Sequence, residues 1–272
     1  MSINFIHYIK KSAYGAFFNS KIWYDNLIMK EYVVQLLGWT ETQAEELGGE
    51  HKKWAILLVG PIGSGKGTQA ELLAEKFGLF NFETSKIIEE KIKNADASDE
   101  IMMREKNNWE TGKLNTPELV KQWVLEKIEE LHKQGSGIVF SGSPRTLEEA
   151  EAELPVLEDL FGKEDVKIVH IQLTENESIK RNSHRRICKA NRHPIPNFPQ
   201  FQNITTCPRD GSELVTRSLD NPDVIKVRYQ EYVNRTEPIL AFLKERGYNI
   251  IEINGEQSIQ KVFEDTLNNL DG

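Results

Sequence analysis

Nine residues, 60–68, read G-P-I-G-S-G-K-G-T, and the chemistry they suit is holding phosphate. Glycines at this spacing let consecutive backbone N–H groups turn toward one point, and Lys66 is placed to reach the outer phosphates of a nucleoside triphosphate. Gly63, Ser64, Gly65, Gly67 and Thr68 make up the rest of the cradle. Farther along stand Arg145, Arg181, Arg185, Arg217 and Arg228, a residue type whose planar, permanently charged head matches phosphate oxygens. Phosphoryl transfer asks a protein mainly for positioning and charge stabilisation, so such a loop and several arginines suffice for it. The six histidines are scattered and form no Ser/His/Asp or Cys/His arrangement. None is needed, because an acceptor phosphate is itself the nucleophile. Cys188 and Cys207 are too few for a disulfide framework and favour a reducing, cytoplasmic setting.

The elements that must position these groups follow from periodicity. Residues 54–59 are an apolar run of strand length, and 69–77 carry helical spacing that stops at Gly78. Strand, glycine loop and helix in that order give the loop its meaning; without Lys66 and the strand it would be an ordinary turn. A short strand at 79–82 is followed by a helix from Thr84 to about 93, then by polar residues 95–108 that suit a small helical flap. Thr116 and Pro117 open a helix to about 133. Strands are expected at 138–141, 167–173 and 248–253, and the terminal helix from about 258. Thr146 with Glu149, and Thr174 with Glu177, read as capping boxes. The helix from Thr174 is expected to run toward 187, which would put Arg181 and Arg185 on one face. Residues 188–220 lose apolar periodicity and read as an insert, after which Asn221 and Pro222 open the helix that carries Arg228.

One detail narrows the class. Gly67, not Ser or Thr, follows Lys66 directly, and Thr68 comes one residue later. That variant resembles adenylate kinases and their nucleoside monophosphate kinase relatives, and the likeness extends over residues 54 to about 271, roughly four-fifths of the chain. It implies an α/β fold with a three-layer parallel sheet, helices on both faces, a monophosphate-binding flap at about 83–115 and a lid at about 188–220. By the same resemblance the loop, Arg181 and Arg185 bind ATP with its Mg²⁺. Thr84, Lys113, Leu114, Gly142, Arg145 and Glu149 would meet the acceptor, and Arg217 and Arg228 would close on both substrates. The implied reaction is reversible transfer of the γ-phosphoryl of Mg-ATP to a nucleoside monophosphate, AMP first, by a monomer. The departures from the family pattern are Lys86, Glu89, Ser141, Ser143 and Glu149. If Glu149 faces the base, its carboxylate suits guanine rather than adenine; if it caps the helix, it says nothing of the base. Loss of carboxylates near the metal also keeps open a nucleotide-binding protein with weak or no turnover.

Within the insert, Cys188, His193, Cys207 and Asp210 are a possible zinc tetrahedron, where the family places its lid knuckle; Asn191 breaks the four-ligand pattern, and a zinc-free lid held by polar contacts is the alternative. Such zinc would be structural. The net charge of −8 argues against a nucleic-acid partner, and no apolar stretch is long enough to span a membrane. Residues 1–50 fall outside the resemblance. Lysines, aromatics and apolar residues at helical spacing there suit an added helix packed on the body or on a partner, with a membrane-surface helix or targeting peptide as alternatives. T-E-T-Q at 40–43 opens a short helix, and Gly48-Gly49 marks the expected boundary to the 51–272 domain.

Overall fold

A computed structural model of the chain describes residue 37 and residues 51–110, 115–191, 193–195, 201–216 and 220–270. The extension other than Leu37, the turn with Lys113 and Leu114, and Arg217 lie outside the described residues.

The loop's strand is β1, Ala55–Val59, and all five of its residues are buried. A strand buried on both faces needs a layer on each side, and alternation supplies two cores. Ile56 and Leu58 face one cluster with Val139, Val169, Ile171, Leu72, Leu73 and Phe77. Ala55 and Leu57 face the other, with Phe140, Ile168, Trp123, Ile128 and Leu154. Around β1 lie β2 (Phe80–Phe82), β3 (Ile138–Phe140), β4 (Val166–Gln172) and β8 (Ile250–Asn254), in the order β2-β3-β1-β4-β8. Every pairing is parallel, with Leu57 opposite Phe140 on one side and Ile168 on the other. Because β1 sits between β3 and β4 while β2 lies at the edge, the connections diverge at its C-terminal end, where ligands collect in open α/β sheets.

The helices are α1 (Lys66–Phe77), α2 (Thr84–Lys93), α3 (Glu100–Glu110), α4 (Pro117–Lys133), α5 (Leu147–Phe161), α6 (Glu175–Ser183), α7 (Pro222–Glu231), α8 (Pro238–Glu245) and α9 (Ile259–Leu270). A π-helical turn, Tyr232–Thr236, joins α7 to α8. Between α6 and α7 a small antiparallel sheet, β6-β5-β7, is made by Arg186–Cys188 (β5), Pro194–Ile195 (β6) and Leu214–Val215 (β7).

Two local expectations are corrected. α6 ends at Ser183 rather than running toward 187, so Arg181 and Arg185 do not share a helix face. Its last carbonyls are taken by side chains: Asn182 Nδ2 donates to Ser178 O, Ser183 Oγ to Ile179 O, and His184 Nδ1 meets Lys180 O at 3.1 Å. Such local bonds compete with continuation of the helix, and residue 186 then enters β5. The second concerns Glu177. Thr174 Oγ1 does accept from the Glu177 N–H, but the Glu177 carboxylate goes forward to Lys180 and Arg181, and Glu256 accepts from the Thr174 N–H in its place.

Candidate active site

The loop 60–65 leaves β1 and becomes α1 with Gly65 as N-cap at φ 96°, in the left-handed region that favours glycine. Gly63 has φ +79°, and a Cβ there would stand 2.3 Å from Asn182 Nδ2. The loop is clamped from α6, where Ser178 Oγ donates to Ile62 O at 2.7 Å and Arg181 Nη1 to Gly63 O at 3.4 Å. It is clamped from the end of the chain as well, since Gln69 Nε2 donates to Ile259 O at 3.1 Å and Gly255 packs against Gln172 O too closely for a side chain. α1 has no acid in its first turn, so its positive end is uncompensated by the helix itself.

Lys66 Nζ donates to Gly60 O (2.5 Å), Pro61 O (2.9 Å) and Ser64 Oγ (3.4 Å). Burial, then the charges of Arg145 and Arg228, push its pKa down to about 7. Burial is the larger cause; the smaller, charge-derived part reflects cations gathered closely enough to favour an anion among them.

These groups share one cavity of about 650 Å³ at the C-terminal end of the sheet. Gly63, Ser64, Gly65, Lys66, Gly67, Thr68, Gly142, Arg145, Arg181, Arg185 and Arg228, all expected from the sequence, line it. Thr84 and Glu149 are not part of its wall. The Thr84 hydroxyl is buried without a protein partner. Glu149 instead works at the start of α5: its N–H donates to Thr146 Oγ1 (3.2 Å), and its Oε2 accepts from the Arg145 N–H (2.6 Å). Arg145 is exposed, with Nε donating to Gly142 O at 2.6 Å and its carbonyl accepting from Thr236 Oγ1 at 2.7 Å. Ser141, where the family pattern has a carboxylate, does line the cavity, whereas Lys86 is paired with Glu83 outside it and Glu89 is exposed.

The sequence reading passed over several supporting residues. Asp220, nearly buried, grips Arg185 from 35 residues away through contacts of 2.8, 3.0 and 3.2 Å. Glu105, fully buried in α3, accepts from the Thr116 N–H and hydroxyl, from Asn115 and from Arg104, bonds that hold its pKa down at about 2. Thr116 thus spends its hydroxyl on the flap rather than on capping α4. Tyr232, on the cavity wall, meets His170 Nε2 at 2.9 Å from behind. The spacing 228, 231, 232, 235, 236 was the available signal for the last group, one face of a helix already carrying Arg228.

In the insert, the donor atoms of Cys188, His193, Cys207 and Asp210 all lie within 4.8 Å of one another. Cys188 Sγ is 3.5 Å from His193 Nδ1 and 3.3 Å from Asp210 Oδ2, Cys207 Sγ is 3.4 Å from His193 Nδ1, and His193 Nδ1 is 3.2 Å from Asp210 Oδ2. Zinc bonds of about 2.0–2.3 Å imply tetrahedron edges of roughly 3.3–3.8 Å, and these four separations are close to that range. Burial pushes His193 down to about 4, which leaves the imidazole neutral and able to coordinate. Asn191 is not among the four; its Nδ2 donates to Asp210 Oδ2 and its N–H to Cys188 Sγ, which is a supporting role. Arg209, inside the same turn, ties the insert to Glu71 of α1 at 2.8 Å.

A family model described as adenylate kinase matches residues 58–248. An adenylate kinase of Lysinibacillus sphaericus (strain C3-41) is 35% identical over 213 residues, 77% of this chain and 94% of the relative. An adenylate kinase of Methanothrix thermoacetophila is 32% identical over 212 residues, 77% of this chain and 95% of the relative. One from Elusimicrobium minutum is 35% identical, with the same two shares.

Proposed function

The chain belongs to the adenylate kinase family and is a phosphotransferase; we propose that it moves the γ-phosphoryl of Mg-ATP reversibly to AMP, forming two ADP. The observation that carries this reading is the convergence of Lys66, Arg145, Arg181, Arg185 and Arg228 on one cavity at the end of β1. In it, the loop backbone and Lys66 hold the triphosphate, with Arg181 and Arg185 beside them, and Arg145 holds the acceptor phosphate. Arg217, Lys113 and Leu114 keep the roles that the resemblance assigns them, closing from the lid and meeting the acceptor base. Fixed cations stabilise charge on the transferring group, and closure of the lid over the bound substrates would keep ATP from simple hydrolysis. Magnesium supplies charge neutralisation when it arrives with ATP. The wall near Lys66 offers it the hydroxyls of Thr68 and Ser141, so it would be held chiefly through phosphate oxygens.

The Glu149 carboxylate is occupied by the Arg145 N–H at the start of α5, which supports the local role over base reading and removes the argument for GMP. Diphosphate formation from Mg-ATP with AMP, GMP, CMP and UMP, each alone, tests this directly. Turnover with GMP above AMP would overturn the acceptor assignment, and none with any of the four would overturn the reaction. Ser141 on the cavity wall favours a second reading, a nucleotide-binding protein of low turnover, which only the last outcome would support.

Structural zinc is proposed at Cys188, His193, Cys207 and Asp210. Purified protein should carry about one zinc, and Cys207→Ser should lose it and lower the melting temperature by several degrees. Metal-free protein with an unchanged melting curve on chelation would refute it. The 51–272 unit is proposed as the kinase body. Burial of Leu37, 2% exposed within the core cluster that also contains Trp54 and Leu72, supports an extension packed on that body. Free, buried thiols at Cys188 and Cys207 agree with a cytoplasmic setting. Among the described residues no helix is long and apolar enough to cross a membrane. A monomer remains the expected state.

A further inference from the structure

Two cations on the cavity wall, Lys180 and Arg235, have no part in the scheme above, and Lys180 is paired with Glu177 on its own helix. α7 and its π-turn present a single face to the cavity, on which Arg228, Glu231, Tyr232, Arg235 and Thr236 stand at i, i+3, i+4, i+7 and i+8. Two of its members are anchored, Tyr232 by His170 and Thr236 by the bond its hydroxyl donates to the Arg145 carbonyl. Arg235, next in sequence to Thr236, is therefore held beside the backbone of the residue that faces the acceptor phosphate. Its ion pair is with Glu231 at 3.5 Å, and the two side chains are 62% and 57% exposed. A solvated i,i+4 pair of that kind is weak, so exchanging the Glu231 carboxylate for a phosphate oxygen costs little. Across the cavity, the flap residues Lys86 and Glu89 lie outside the wall and supply no cation to it.

We propose that Arg235 binds the phosphate of the acceptor nucleotide as a second guanidinium facing Arg145, and thereby sets acceptor affinity. This rests on the reading of the Arg145 wall as the acceptor side. A nucleoside monophosphate carries close to two negative charges at neutral pH, and two guanidinium groups match both its charge and its oxygens. Donor binding does not involve Arg235, because the loop and α6 cations hold the triphosphate.

The test is initial-rate kinetics of Arg235→Ala and Arg235→Lys with ATP and AMP varied separately, alongside calorimetric binding of AMP. For the alanine variant we expect the KM for AMP to rise at least tenfold. The KM for ATP should stay within twofold, kcat at saturating AMP within threefold, and the melting temperature unchanged. The lysine variant should recover most of the loss. An unchanged KM for AMP, or equal rises for both substrates, would overturn the assignment. Failure of the phosphotransfer reading shows elsewhere, as absence of ADP formation by the wild type. Calorimetry then decides Arg235 separately: AMP binding weakened in Arg235→Ala supports the assignment, and AMP binding unaltered or absent in the wild type ends it.

Discussion

The two halves of the cavity, proposed above as its donor and acceptor sides, are built to different tolerances. On the donor side each charged group is tied to the protein: Lys66 to three oxygens of its own loop, Arg181 to Glu177 and Gly63 O, Arg185 to a nearly buried Asp220. On the acceptor side Arg145 is exposed and Arg235 is held by a solvated carboxylate. Preorganised groups stabilise charge without rearranging when it appears. Loosely held ones lose side-chain freedom when substrate orders them, which lowers affinity and eases release. The contrast teaches where rate and where affinity should reside: rate with the donor half, acceptor affinity with the other.

The largest effect should come from Lys66→Ala, which removes the cation at the transferring phosphate and should lower turnover by about a thousandfold. Steady-state rates within tenfold of wild type would show that the donor half is not where charge is stabilised. Next is Asp220→Ala, which frees Arg185 from its bidentate partner; kcat should fall roughly 10–100-fold with AMP binding intact. A loss confined to the KM for AMP would break the comparison. Smaller still is Gly142→Ala. Its Cβ would lie 3.1 Å from Arg145 Nη2 and must push the guanidinium aside, so the KM for the monophosphate should rise a few-fold while the KM for ATP holds.

The smallest effect on turnover, with its readout in stability instead, concerns an acid beneath the loop that carries Arg145. Glu153 is 3% exposed, its Oε1 accepts from Ser143 Oγ at 2.5 Å, and burial pushes its pKa from 4.5 up to about 8. The folded protein therefore keeps a proton that the unfolded chain gives up near pH 4.5. Stability from this group is full below that pH and is lost as pH rises to about 8. The melting temperature should fall across that window and level off above it, and Glu153→Gln, a neutral partner for Ser143, should flatten the slope. An identical slope in the variant would assign the pH dependence to another group.

Local signals were read well from the sequence because they are local. The glycine loop, the Gly78 stop, the Pro117 and Pro222 starts and the apolar strand runs each depend on neighbours within a few residues, and the structure has all of them. Reading failed where the decisive partner is distant or where two local signals compete. Asp220 acts through Arg185, 35 positions away, and the partners that give Glu105 its place, Asn115 and Thr116, lie 10 and 11 positions on, so the neighbouring sequence does not announce either role. α6 was overextended because the four-residue spacing of Arg181 and Arg185 looks helical, while the side chains of Asn182, Ser183 and His184 close the helix first. Glu149 fitted two roles on paper, and the Arg145 N–H decides which one its carboxylate performs here.

The bond from Gln69 to Ile259 spans 190 residues. A chain emerging from a ribosome carries its glycine loop early, yet the loop gains its last support only when β8 and α9 have been made and have docked. Phosphate binding therefore belongs to the finished protein. Truncation within the last twenty residues should leave most of the sheet assembled and the nucleotide site unfinished, so a simple binding assay would double as a readout of whether synthesis and folding had run to completion.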